Sequence, residues 1–228
     1  MSGNAFRKAE KKKAWLKIAL TGPSNAGKTY SALTIASGMG GKIAVIDTEN
    51  RSASLYADRF EFDVLEIDPP YTVKKYNQAI DLAIQGGYDI VVIDSLSHAW
   101  AGDGGLLAQK EELDARVGKG QNNKFANWGN ITKQHEEFKA KILNAQCHMI
   151  CTMRSKQDYV LAEDGKPKKV GMAPVQREGM EYEFTTVLDL AIDHMAAVSK
   201  DRTQLFDDTQ LFTPTKATGE AFIQWLNS

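Results

Sequence analysis

Residues 15–29 read Trp15-Leu16-Lys17-Ile18-Ala19-Leu20-Thr21-Gly22-Pro23-Ser24-Asn25-Ala26-Gly27-Lys28-Thr29, and Tyr30 to Ser37 follow with helix-forming composition. An apolar run thus leads into a turn of small residues, which opens a helix. Gly22 to Thr29 completes the pattern G-x-x-x-x-G-K-[ST] in the strand–turn–helix setting that this pattern needs. Such a turn aims backbone N–H groups inward, and a helix N-terminus adds partial positive charge. Gly22 and Gly27 allow close approach of an anion to the backbone. Lys28 is placed to reach the outer phosphates of a nucleoside triphosphate. Thr29 supplies a hard oxygen to Mg²⁺. Gly22, Pro23, Ser24, Asn25, Ala26, Gly27, Lys28, Thr29 and Tyr30 are the expected nucleotide contacts. The competing reading is a glycine-rich turn that binds nothing.

The 228 residues are enough for one sizeable α/β core, with 43% hydrophobic and 25% charged residues. No apolar run is long enough to span a membrane, and the basic N-terminus lacks the apolar segment of a secretory signal. Cys147 and Cys151 are expected on one face of one strand as buried small apolar residues, which fits a reducing cytoplasm. The net charge of −1 hides an asymmetry. Residues 1–17 hold six basic residues against one acidic, a net of +5, and residues 154–177 hold six against three, a net of +3. The remainder therefore carries −9. Two basic segments on an acidic body suggest a local polyanion site, or else two solvated segments.

The organisation reads as a basic arm over residues 1–14 and one domain over 15–228. Strands are expected at Trp15–Leu20, Lys42–Asp47, Asp63–Ile67, Asp89–Asp94 and His148–Met153. A helix follows the phosphate loop and is expected to end at Gly38, Gly40 and Gly41. A second helix carries Val73, Tyr76, Ile80, Ala83 and Ile84 at helical spacing and stops at Gly86-Gly87. A polar helix begins near Leu106. After a break at Gly118–Asn123, a long helix places Trp128, Ile131, His135, Phe138 and Ile142 on one face. Residues 155–180 have poor periodicity and a turn at Glu163–Pro167, so they read as a loop. Val187–Ile192 and Met195–Ser199 are expected to form a hairpin about Asp193-His194, and Thr218–Leu226 a final helix. The fold class is α/β: a mostly parallel sheet flanked by helices, with a C-terminal antiparallel hairpin.

Asp94 closes the apolar strand Ile90-Val91-Val92-Ile93, which would deliver a carboxylate to the loop edge to hold Mg²⁺. A helix cap is the plainer alternative. Ser95 follows and is expected to hydrogen-bond near the γ-phosphate. Glu49, just beyond Ile43–Asp47, stands at the carboxyl edge of a parallel strand, where it could activate water for attack on the γ-phosphate. A surface carboxylate is the alternative.

The phosphate loop, the string Lys42-Ile43-Ala44-Val45-Ile46-Asp47-Thr48-Glu49-Asn50 and the string Tyr88 to Trp100 together resemble the RecA-like P-loop core. The chain resembles more closely the short single-domain AAA/RecA-like ATPases of phages, some of which act in recombination or strand annealing. The resemblance covers roughly residues 15–205. It implies ATP with Mg²⁺, Glu49 as catalytic base and Lys28 as a catalytic cation. It implies a γ-phosphate sensor at the end of the strand after Asp94, where Thr152 and Arg154 stand in place of a glutamine. Lys200 and Arg202 resemble a Lys-x-Arg finger that contacts the neighbouring subunit's nucleotide, an effect commonly worth ~10³-fold or more in rate. The resemblance further implies self-association into a ring or filament, single-stranded DNA as partner, a single-strand-binding protein as companion, and the cytoplasm of a bacterial host carrying a phage or prophage. The expected DNA contacts are Arg154, Lys156, Tyr159, Lys166, Lys168, Lys169 and Arg177, because basic residues and aromatic platforms line single-strand grooves. Ala99–Lys124, with Trp100, Lys119 and Lys124, takes the place of a second DNA loop. The N-terminal lysine run is either a subunit-docking arm or a solvated tail. A nucleotide-gated binding scaffold is the alternative function. A small-molecule kinase would need an acceptor pocket that no residue marks. A partition-type ATPase would carry a second lysine where this chain has Pro23.

Overall fold

The computed structural model describes residues 8, 10–11, 14–116, 124–161 and 167–228, of which 124–126, 157–161 and 167–171 as backbone alone. The strands are β1 (Lys17–Gly22), β2 (Ile43–Asp47), β3 (Asp63–Glu66), β4 (Ile90–Asp94), β5 (His148–Leu161), β6 (Pro167–Pro174), β7 (Thr186–Leu190) and β8 (Ala196–Asp201). The helices are α1 (Lys28–Met39), α2 (Val73–Gln85), α3 (Ser97–Ala101), α4 (Leu106–Arg116), α5 (Lys124–Asn144) and α6 (Lys216–Asn227). Strand order is β3-β2-β4-β5-β1-β7-β8, with β6 paired to β5 alone. All pairs from β3 to β7 are parallel, whereas β7–β8 is an antiparallel hairpin.

Both faces of the sheet are covered, which is why β1, β2 and β4 read as unbroken apolar runs. Successive side chains divide between two cores. Ile18, Leu20, Ile43, Val45, Ile90 and Val92 meet α1 and α6 through Leu33, Ile35 and Phe222. Ala19, Ala44, Ile46, Val91 and Ile93 meet α2 and α5 through Tyr76, Ile80, Phe138 and Ile142. Cys147 and Cys151 are both buried free thiols in this second core. Cys147 precedes β5 rather than lying on it.

Two expectations are corrected. Gly38 does not end α1: the helix runs to Met39, and Gly40 and Gly41, with φ of 76° and 94°, terminate it. Gly38 serves contact instead, since a Cβ there would sit 2.0 Å from Lys216 O of α6. Residues 155–161 and 167–174 are strand rather than loop, and the expected turn at Glu163–Pro167 lies, but for Pro167, outside the described residues. β5 continues to Leu161 and pairs with β6 as an antiparallel arm, with a register shift at Asp158/Tyr159. The arm projects beyond the parallel sheet, so no core imposes a period-2 apolar pattern on it. The expected face of α5 is buried at Ile131, His135, Phe138 and Ile142, whereas Trp128 is 38% exposed. Among the described residues, no helix is long and apolar enough to cross a membrane.

Candidate nucleotide site

β1 delivers the phosphate loop to the carboxyl edge of the sheet, where open α/β sheets take their ligands. Asn25 and Gly27 have φ of 65° and 79°, which turns the loop into α1. A Cβ on Gly27 would lie 3.0 Å from His194 Nδ1, so the β7–β8 turn sets its imidazole against the loop. Lys28 Nζ donates to Gly22 O at 3.0 Å and Pro23 O at 2.7 Å, spanning the loop. Burial lowers the Lys28 pKa, against the pull of Asp94 and Glu49.

β5 lies between β1 and β4. Asp94 must therefore reach the loop across the width of one strand, and Thr152 of β5 stands in that gap. Thr29 Oγ1 donates to Asp94 Oδ2 at 2.5 Å, and Thr152 Oγ1 donates to Oδ1. Asp94 is 1% exposed. Burial raises its pKa to about 6, against the two hydroxyl bonds. Thr29 and Asp94 thus place a hydroxyl and a carboxylate side by side, the hard oxygen set that suits Mg²⁺ shared with phosphates. Among the described residues there is no cluster of three His, Cys, Asp or Glu for a metal held by protein alone.

Glu49 enters the same pocket from the β2 end. Asp47 accepts from Glu49 N at 2.7 Å and Ala53 N at 2.9 Å, which holds the turn in which Asn50 and Arg51 have positive φ. Ser95 Oγ, after a cis Asp94–Ser95 peptide, donates to Glu49 Oε1 at 2.8 Å. Ser95 therefore grips the glutamate, a role its sequence position did not suggest. Arg154 Nε donates to Oε1 at 2.9 Å, and Nη2 donates to Oε2. His98, stacked on Tyr71 at 4.7 Å between centroids, lies 3.9 Å from Oε1. Burial would raise the Glu49 pKa, but Arg154, Ser95 and His98 outweigh it and hold the carboxyl below its usual range.

The pocket that joins Lys28, Thr29, Glu49, Asp94 and Arg154 has a volume of about 620 Å³. Tyr30 and Tyr56 line its wall, with ring centroids 5.6 Å apart and Phe60 behind Tyr30. Tyr56 and His194 are site residues that no motif marked, each outside both the phosphate loop and the Asp94 string, whereas Ser95 and His98 lie within the string Tyr88 to Trp100.

Lys200 and Arg202 do not join this pocket within one chain. Thr186 pairs with Asp201 and with Ile18, which puts them toward the amino end of β1, away from the loop. Both donate to Tyr182 O, Arg202 at 3.2 Å. Arg154, expected also on DNA, is paired with Glu49. Lys156 is exposed at the root of the arm. Arg177 is partly buried, with Nη1 enclosed and without a bond partner among the described residues. Lys119 and Lys166 lie outside the described residues, as do the side chains of Lys124, Tyr159, Lys168 and Lys169. Of the N-terminal arm, Lys11 bonds Ser228 Oγ at 2.6 Å and sits over the Trp225 ring of α6.

Sheet, phosphate loop and paired Thr29–Asp94 define a P-loop nucleoside-triphosphatase fold. A protein-family model for an AAA domain matches residues 14–217, and the chain belongs to that family. It is a P-loop, AAA-type ATPase-like domain. No curated protein matches the chain.

Proposed function

We propose that this protein hydrolyses ATP with Mg²⁺ in a RecA-like manner and acts on single-stranded DNA in recombination or annealing, in a bacterial cell that hosts a phage or prophage. The observation that supports this best is the convergence of Lys28, Thr29, Asp94 and Glu49, from three strand ends, on one pocket. Thr29 and Asp94 would hold the metal, which when bound would neutralise charge on the phosphate oxygens. Lys28 and the loop N–H groups orient the outer phosphates. Glu49 draws the proton from a water aligned with the γ-phosphorus, and Arg154 senses the γ-phosphate. The nucleobase packs on Tyr30 and Tyr56. Lys200 and Arg202 act on the nucleotide of a neighbouring subunit, in a ring or filament, because they lie away from their own pocket. Lys156 and the arm it roots contact DNA, with a single-strand-binding protein as companion.

The test is ATP hydrolysis with and without single-stranded DNA over a range of protein concentrations. Stimulation by DNA that rises cooperatively with protein is expected. Hydrolysis linear in protein and indifferent to DNA overturns the DNA and subunit-sharing parts of the reading.

A further inference from the structure

We propose that Arg154 is a clamp that withholds Glu49 and makes the pocket discriminate triphosphate from diphosphate. The proposal rests on the reading of this pocket as a nucleotide site. Oε1 of Glu49 accepts from Arg154 Nε and Ser95 Oγ, and Oε2 accepts from Arg154 Nη2. Three of roughly four lone-pair positions on the carboxylate are thus engaged. A carboxylate held in this way is a weak base, because each bond favours its ionised form. The pair is therefore a resting arrangement, and catalysis needs the guanidinium to leave.

The main chain at Arg154 is fixed on both sides. Arg154 N donates to Ser97 Oγ at 2.8 Å, and Arg154 O accepts from Val175 N at 2.6 Å. The side chain is 47% exposed, against 20% for Glu49. Movement is thus confined to the side chain, which borders the same pocket as Lys28 and Thr29. The planar fork of a guanidinium matches a carboxylate or a phosphate equally well, and a terminal phosphate carries more charge. Phosphates seated on the loop fill the pocket from Lys28 outward, so the last phosphate of a triphosphate is the one that competes for Arg154. A diphosphate leaves the pair closed. Triphosphate binding then breaks the clamp and frees Glu49 in a single exchange of partners. Product release restores it.

The clamp has a thermodynamic signature that a merely stabilising ion pair lacks. Breaking it opposes triphosphate binding alone. Equilibrium binding of Mg²⁺-AMP-PNP and Mg²⁺-ADP is measured for the wild type, Glu49→Gln, Arg154→Ala and the double variant, with Arg154→Lys as a charge-retaining control. In Glu49→Gln the guanidinium loses its charged partner and one of two acceptor atoms, and the preference for AMP-PNP over ADP is expected to rise about 5–10-fold. In Arg154→Ala the preference is lost, in Arg154→Lys it is reduced, and the double variant matches Arg154→Ala. An unchanged preference in Glu49→Gln, or a wild-type preference in Arg154→Ala, overturns the clamp while nucleotide binding itself stands. A wild-type protein that binds neither nucleotide overturns the reading of the pocket and the clamp with it.

Discussion

At Asp94 the needs of the fold and of the site oppose each other. Burial raises the carboxyl to about 6 from its ordinary value of 3.8. A folded pKa above the unfolded one contributes stability that is complete below the unfolded value and is lost as pH rises through the folded value. The ligand-free protein thus carries a penalty from Asp94 at every pH above about 6. A bound divalent cation offsets it. Asp94→Asn is expected to raise the melting temperature of the ligand-free protein at pH 7.5 by about 3 °C or more. It should also flatten the pH dependence of stability between 4 and 6, and abolish the stabilisation by Mg²⁺-ATP. Thermal melts of both proteins across that range check all three. A lower melting temperature for the variant would show that the two threonine bonds outweigh the burial cost.

Two elements carry predictions of their own. α6 crosses α1 where Gly38 and Gly219 face the opposite backbone: a Cβ on Gly219 would lie 2.1 Å from Ile35 O and 2.7 Å from Met39 N. Backbone atoms cannot swing aside, so α6 must lift. Gly219→Ala is expected to cost about 1–3 kcal/mol in urea unfolding, through overpacking rather than propensity. At the amino end of β5, His148 Nδ1 accepts from Leu16 N at 3.1 Å, and the ring meets Trp15 edge-on at 5.1 Å. Burial, then Lys17, lowers its pKa to about 4. A depressed folded value contributes stability that is present above the unfolded value of 6.5 and is lost as pH falls toward 4. His148→Gln keeps an acceptor and removes that titration. Its stability is expected to fall less than that of the wild type between pH 6.5 and 4, measured by urea midpoints.

For the whole molecule, the distance of Lys200 and Arg202 from their own phosphate loop decides how they can act. If each pair serves the nucleotide of the next subunit, Arg202→Ala and Glu49→Gln proteins are each defective for a different reason. Mixing them creates interfaces that join an intact Glu49 to an intact Arg202. ATPase activity of the mixture is expected to exceed the sum of the separate proteins, with DNA present. Activity equal to that sum would place both residues outside the reaction, as a charged hairpin held by Tyr182 O.

The sequence by itself determined the parallel sheet, the order of its elements and the phosphate loop, because these rest on local periodicity, turn chemistry and one dense motif. It placed Lys28, Thr29, Asp94 and Glu49 at strand ends, and the structure brings them to one pocket. Segments without a core face were less legible. The β5–β6 arm pairs through backbone bonds and projects beyond the sheet, so no alternation marks it. Gly38 read as a stop because spacing cannot show a second helix passing against it. Only the tertiary structure decided what surrounds Glu49. Arg154 is 105 residues away in sequence and Ser95 is 46, and both reach it because β2, β4 and β5 lie side by side. The strength of a base is set by burial and by bonds from such neighbours, and neither is written at the residue's own position.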